Sequence, residues 1–302
     1  MLNRKRYTFT GFHCTAPPLL HSRERGNPAR YPPACPAHAF RETFEPVKSR
    51  HETRHGGRLV AERRDDHGLI EVVDHDNRRC LHFGSAIKQS CQSLEPPGRP
   101  IFHYDDKLLL AAALHPQPRD ALILGLGAGS VASHLHRRMP ELTLTAVERR
   151  EAVINLALDY FNLPADERMA LFTADADYFL DQIETRRDLI IIDLFDANGP
   201  AETVSTLRFF DRCRERLNRN GLLAINLWRT VPQAWDNATT HLTTVFGEPH
   251  WRLDEEDGNS ILYAFRDAPP PLDRAFLDRC RKLGLPGKAL RRSLLRRNAI
   301  QS

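Results

Sequence analysis

At 302 residues, with 41% apolar and 27% charged side chains, the chain is long enough for one large domain or two modest ones, and it can bury a core. No run approaches 18 consecutive apolar residues and the first residues lack a signal-type apolar stretch, so no membrane span is expected and the expected location is the cytoplasm. The net charge of +4 is uneven: residues 1–50 carry nine Lys/Arg against three Glu, residues 279–302 carry eight Lys/Arg and no acid, and the middle is left with a net charge of −10, which argues against a nucleic-acid-binding face on the main domain and suits a cationic small molecule.

Residues 1–55 read as a disordered extension, with seven prolines in the first 50 positions and no helical or strand period. His21 to Pro28 has the look of translated repeat DNA, so the expected start lies downstream. Residues 56–100 read as a small β-hairpin domain. Its strands are Arg58-Leu59-Val60-Ala61-Glu62-Arg63, Leu69-Ile70-Glu71-Val72-Val73-Asp74 and Cys80-Leu81-His82-Phe83, with a turn at His75-Asp76-Asn77. The six cysteines form no CxxC pair and read as free thiols, and no metal site is expected.

Residues 101–268 read as a nucleoside-binding catalytic domain. A helix is predicted over 105–114, stopping before Pro116. Strands are then predicted at 121–124, 142–147, 169–173, 189–192, 221–227 and 261–265. Helices are predicted at 130–139, 150–162, 176–183, 203–218 and 233–246. Repeated βα units of this kind imply an α/β fold with a Rossmann-like parallel sheet covered on both faces. Pro269-Pro270-Pro271 sets off a basic helical tail, 269–302, whose paired arginines read as a solvated face.

The chemistry gathers at strand ends. Gly125-Leu126-Gly127-Ala128-Gly129 follows an apolar strand and opens a helix, where glycine lets the backbone turn sharply and approach a ligand. Glu148 ends the next strand, where a carboxylate can accept from both ribose hydroxyls. Asp175 follows the third strand and can meet an adenine amino group. Asp193 and Asp196 follow the fourth, where two carboxylates could bind an amine and take its proton. A plain tight turn, solvated strand ends and a helix cap are the structural alternatives.

The stretch from His115 to Gly125, Val147-Glu148, Asp193 to Pro200 and Leu207 to Phe210 resembles the spermidine synthase (polyamine aminopropyltransferase) family, over about residues 58–265. The resemblance implies a small N-terminal β-domain before a methyltransferase-type Rossmann domain, and a homodimer. It implies transfer of an aminopropyl group from decarboxylated S-adenosylmethionine to putrescine or a related amine, without a metal. It assigns Gly125, Gly127, Gly129, Glu148, Asp175 and Gln89 to the nucleoside donor and Asp193 to orienting and deprotonating the amine. Asp196, His103, Tyr104 and Asp105 would bind the substrate. The turn departs from the family's Gly-Gly-Gly-Asp-Gly at Ala128, which removes the carboxylate that pairs with the donor's ammonium. Such a loss costs on the order of 3–5 kcal/mol. Methyl transfer from S-adenosylmethionine and non-catalytic nucleoside binding are the alternative functions.

Overall fold

The computed structural model describes residues 7–8, 53–95, 97–196, 199–247 and 250–298. The expectation of disorder for residues 1–55 lies almost wholly outside these. Within that stretch, Tyr7–Thr8 (β1) is a short edge strand and Thr53–Arg54 (β2) opens the small sheet.

That sheet continues through β3 (Gly57–Asp65), β4 (Gly68–His75), β5 (Arg78–His82), β6 (Lys88–Leu94) and β7 (Pro97–Pro100), an antiparallel meander in chain order. The sequence predicts β3, β4 and β5. It does not predict β6, because Lys88-Gln89-Ser90-Cys91-Gln92-Ser93 has no apolar alternation. Tertiary partners hold β6 instead. Cys91 stands directly opposite Cys80 on β5, and the two form a disulfide. The expectation of six free thiols is therefore corrected at this pair: a cross-strand register made the bond, and a spacing of 11 residues gives no sign of it. Cys213 and Cys280 are buried free thiols.

The larger unit runs α1 (His103–Leu114), β8 (Asp120–Leu124), α2 (Ser130–Arg138), β9 (Thr143–Glu148), α3 (Glu151–Tyr160), β10 (Met169–Thr173), α4 (Ala176–Gln182) and β11 (Arg187–Ile192). A small hairpin follows, β12 (Phe195–Asp196) with β13 (Gly199–Pro200). Then come a 3-10 turn (Glu202–Ser205), α5 (Leu207–Glu215), β14 (Leu217–Trp228), α6 (Pro232–Phe246), β15 (Trp251–Asp254), β16 (Asn259–Phe265), α7 (Arg274–Lys282) and α8 (Gly287–Asn298). The sheet order is β1-β10-β9-β8-β11-β14-β16-β15. All pairings are parallel except those of β16, which is antiparallel to β14 and β15.

The strands are apolar on both faces because helices cover both. Alternate residues divide between two cores, as a period of two requires. Ala121, Ile123, Leu189, Ile191, Leu222, Ala224, Ile261 and Tyr263 pack with α1, α2, α7 and α8. Leu122, Leu124, Ile190, Ile192, Leu223, Ile225, Leu262 and Ala264 pack with α4, α5 and α6. The C-terminal tail is docked, with Phe276, Cys280, Leu290 and Leu294 buried in the first core. The single helix predicted over 203–218 is two elements. Thr206 breaks it, its hydroxyl accepting from the Phe209 amide at 3.3 Å as a cap. The unpredicted β15 is too short to show a period and is fixed by pairing with β16.

Candidate active site

The sheet reverses direction between β8 and β11: from β8 the chain moves outward through β9 and β10, then returns to β11 on the other side. A crevice at such a switch point is the usual ligand site of an open α/β sheet. The glycine turn stands there. Gly125 and Gly127 have φ of 90° and 53°, the left-handed region that favours glycine. At Gly125 a Cβ would lie 2.1 Å from the Asp193 carbonyl oxygen, so only glycine lets the end of β8 pass the end of β11. Backbone bonds fix the same crossing: Gly125 N–H donates to the Val147 carbonyl at 2.9 Å, and Asp193 N–H to the Leu124 carbonyl at 2.9 Å.

These strand ends open into a cavity of about 630 Å³. Gly125, Gly127, Glu148, Asp175, Gln89, Asp193, Asp196 and Tyr104 all line it. Glu148 also braces the turn, accepting from the Leu126 amide at 3.2 Å and the Arg150 amide at 3.0 Å, with further lone pairs left on both oxygens. Asp175 caps α4 through Oδ1 alone, accepting from the Asp177 and Tyr178 amides. Among the described residues its second oxygen accepts no hydrogen bond.

Three sequence-selected residues do not line the cavity. Gly129 begins α2 in a left-handed conformation with φ 73°, and a Cβ there would meet Leu163 Cδ1 at 2.6 Å, so it serves helix packing. His103 is exposed at the first turn of α1. Asp105 is buried and accepts from the Phe102 amide at 3.1 Å, closing the first turn of the same helix. The helical register thus brings Tyr104, and neither neighbour, to the cavity wall. Burial raises the Asp105 pKa well above the usual carboxylate range, and the nearby Asp193 adds to this. Burial likewise raises the Tyr104 hydroxyl, with Asp193, Asp105 and Asp257 contributing.

Asp193 is the carboxylate of the cavity wall that burial perturbs. Burial pushes its pKa up to about 6, opposed by a hydrogen bond from Asn226 Nδ2 at 2.9 Å. A carboxylate with that pKa is ionised at neutral pH yet basic enough to take a proton. Asn226 is only 3% exposed, and among the described residues its Oδ1 has no hydrogen-bond partner. It lines the cavity, so a buried acceptor stands beside Asp193 in want of a donor.

Sequence reasoning did not select Asn226, Trp228, Thr230, Asp257 or Asn259, which line the cavity from β14, the segment after it and the approach to β16. Their one signal is position: Asn226 and Trp228 end β14, Thr230 follows it, and Asp257 and Asn259 lead into antiparallel β16, all at the carboxyl edge of the parallel strands. His67, Phe83, Lys88 and Ser90 come from the small sheet. That sheet is clamped over the turn. Arg150 holds Asp65 through two bonds of 2.9 and 2.8 Å and also donates to the Gly68 carbonyl. Gln92 Nε2 donates to the Ala128 carbonyl at 3.0 Å. Ala128 itself is fully buried among Ala61, Ile70, Val72 and Leu81 of the small sheet and Val153 and Leu156 of α3. Its methyl group belongs to that apolar seam. Among the described residues, no group of three or more His, Cys, Asp or Glu side chains is arranged to hold a metal, and no helix is long and apolar enough to cross a membrane.

Known proteins share this architecture. The chain is 20% identical in sequence to human methyltransferase-like protein 13, solved in complex with SAH, with a TM-score of 0.55 over 61% of this chain and 91% of that one. It is 19% identical to a probable spermidine synthase from Corynebacterium glutamicum, with a TM-score of 0.62 over 76% and 87%. These likenesses show a methyltransferase-type fold. In sequence the chain is 27% identical to the polyamine aminopropyltransferase of Vibrio vulnificus over 221 residues, 70% of this chain and 73% of that protein. It is 28% identical to that of Neisseria meningitidis serogroup B over 222 residues, 72% and 83%. Residues 103–228 match the model of the spermine/spermidine synthase domain. Over residues 103–228 the chain resembles that domain, and along most of its length it is similar in sequence to the bacterial polyamine aminopropyltransferases.

Proposed function

We propose that the cavity transfers an aminopropyl group from decarboxylated S-adenosylmethionine to a small amine. The observation that carries this is Asp193, a desolvated carboxylate with a pKa of about 6, set across the glycine turn from Glu148 and Asp175 in one cavity. The nucleoside would lie along Gly125–Gly127, with its ribose on Glu148 and its adenine towards Asp175 and Gln89. The two close approaches of the turn, to the Asp193 carbonyl and to Ser90, leave the backbone itself as the cradle wall.

Asp193 would hold the acceptor amine and take its proton. The freed lone pair attacks the aminopropyl carbon bonded to the sulfonium. The carbon–sulfur bond breaks with its electrons going to sulfur, and methylthioadenosine leaves as a neutral thioether. Alignment and an unprotonated nucleophile are all this step needs, because the sulfonium already activates the carbon. Asn226 Oδ1 would accept a hydrogen from the same amine, and Asp196 would take its distal ammonium.

Ala128 favours a second reading, methyl transfer from S-adenosylmethionine, because the turn offers no carboxylate to the amine of a decarboxylated donor. The test is incubation with putrescine and either donor, followed by mass spectrometry. Spermidine with methylthioadenosine supports aminopropyl transfer, and adenosylhomocysteine supports methyl transfer. Turnover with neither, alongside tight nucleoside binding, leaves a non-catalytic role. Asp193→Asn is expected to abolish turnover and spare nucleoside binding; unchanged turnover removes Asp193 from the mechanism.

A further inference from the structure

We propose that the Cys80–Cys91 disulfide sets the affinity of the cavity for its nucleoside, so that a dithiol reductant that opens the bond lowers this affinity; this rests on reading the cavity as a nucleoside site. β6 is the strand that the small sheet lays against the glycine turn. Ser90 stands over Gly127, where a Cβ would come within 3.2 Å of the Ser90 Cβ. Gln92 Nε2 donates to the Ala128 carbonyl at 3.0 Å, and Ser130 Oγ, at the start of α2, donates to the Cys91 carbonyl at 3.3 Å. Residues 90–92 thus hold residues 127–130, and Lys88, Gln89 and Ser90 line the cavity itself. Side chains alternate across a strand, so Ser90 and Gln92 face the turn and Cys91 points to the other side of the sheet, directly behind them.

Little else holds this strand. Its side chains are polar but for Cys91 and Leu94, and of these two only Cys91 is buried. Its ladder with β5 is broken between Leu81 and His82, where Gln89 is the extra residue of a bulge. On its other side Pro100 stands opposite Gln92 and Pro97 opposite Leu94, and neither proline has an N–H to donate. Between these weak stretches the cross-link ties β6 to β5, whose Leu81 packs in the apolar seam with Ala128. Opening the bond takes two electrons and two protons. The sulfur–sulfur bond breaks, Cys80 and Cys91 become thiols, and the reducing dithiol closes to its own disulfide. β6 is then free to part from β5, and the cavity wall at 88–90 loosens together with the bond from Gln92 to the turn. Linkage runs both ways: a nucleoside that prefers the cross-linked form stabilises the cross-link by the same factor.

The test is calorimetric binding of methylthioadenosine to the full chain, first as the disulfide and then after reduction by excess dithiothreitol, with the state of Cys80 and Cys91 read by alkylation and peptide mapping. The oxidised protein is expected to bind about tenfold more tightly, the worth of one hydrogen bond holding the turn. The Cys80→Ser, Cys91→Ser double variant is expected to bind as the reduced protein does, with or without reductant. Saturating methylthioadenosine is expected to lower the midpoint potential of the pair by about 30 mV, which is the same tenfold for a two-electron couple. Equal affinity in the linked and reduced states overturns the inference and spares the nucleoside reading. Binding in neither state overturns both. Loss of the folded state on reduction, read by circular dichroism, also overturns the inference, because the bond would then hold the fold and not the site.

Discussion

Replacing Asp193 by asparagine should stabilise the fold at neutral pH, and the size of the effect follows from the structure. Burial raises the Asp193 pKa from 3.8 to about 6. At about 1.36 kcal/mol per pH unit, holding this charge costs the folded state at most about 3 kcal/mol above pH 6. The side chain faces a cavity that water enters, so a working range is about 1.5–3 kcal/mol. The sign follows from linkage. A carboxyl whose folded pKa is raised contributes stability that is fully present below the unfolded pKa of 3.8 and is lost as pH climbs through about 6. Asparagine has nearly the same shape, carries no charge and can still accept from Asn226. The variant should therefore exceed the wild type by about 1.5–3 kcal/mol at pH 8, and this margin should shrink towards zero at pH 4. Urea unfolding of both proteins at the two pH values measures it, and every other titrating group cancels in the difference. A variant that is less stable at pH 8, or a margin that does not change with pH, would refute the claim that Asp193 is a desolvated charge.

Asn226→Ala removes the bond that holds the Asp193 pKa down. The acid limb of kcat/KM, expected near pH 6, should move up by about one unit, the worth of a hydrogen bond to a charged group; a limb that stays in place separates Asn226 from Asp193. Ala128→Asp, the change that would restore the family's turn, places a carboxylate in the apolar seam under the small sheet. A loss of about 3 kcal/mol or more in denaturant unfolding is expected, whereas unchanged stability with tighter donor binding would mean the side chain reaches the cavity. Cys91→Ser opens a cross-link spanning 11 residues and should cost up to about 3 kcal/mol on the loop-entropy view. A peptide map of the non-reduced protein showing Cys80 and Cys91 unlinked would contradict the pairing. The bond is of a kind that persists in oxidising surroundings, so it and a reducing cytoplasm make opposite demands.

Local pattern was enough for the alternating elements. Apolar runs such as Leu122-Ile123-Leu124 and Leu189-Ile190-Ile191-Ile192 are strands in almost any context, and glycines at 125 and 127 announce a turn that only glycine can make. Acids placed just after such strands, Glu148, Asp175 and Asp193, fall at the carboxyl edge of a parallel sheet by arithmetic. Non-local partners could not be read this way. β6 is polar and exists because β5 and α2 hold it. Tyr104, and not His103, reaches the cavity because of where α1 starts. Asn226 and Asp257 join the site because β14 lies beside β11 and β16 beside β14, an order no run of residues encodes.

The sequence by itself determined the ligand edge: strand, glycine turn, helix, and a carboxylate at each following strand end, all set by contacts within a few residues. The tertiary structure decided what that edge can hold. It placed Asp193 where burial raises its pKa to about 6, and it turned Ala128 into a packing residue beneath the small sheet. Desolvation and long-range charge depend on neighbours distant in the chain, and only the folded arrangement supplies them.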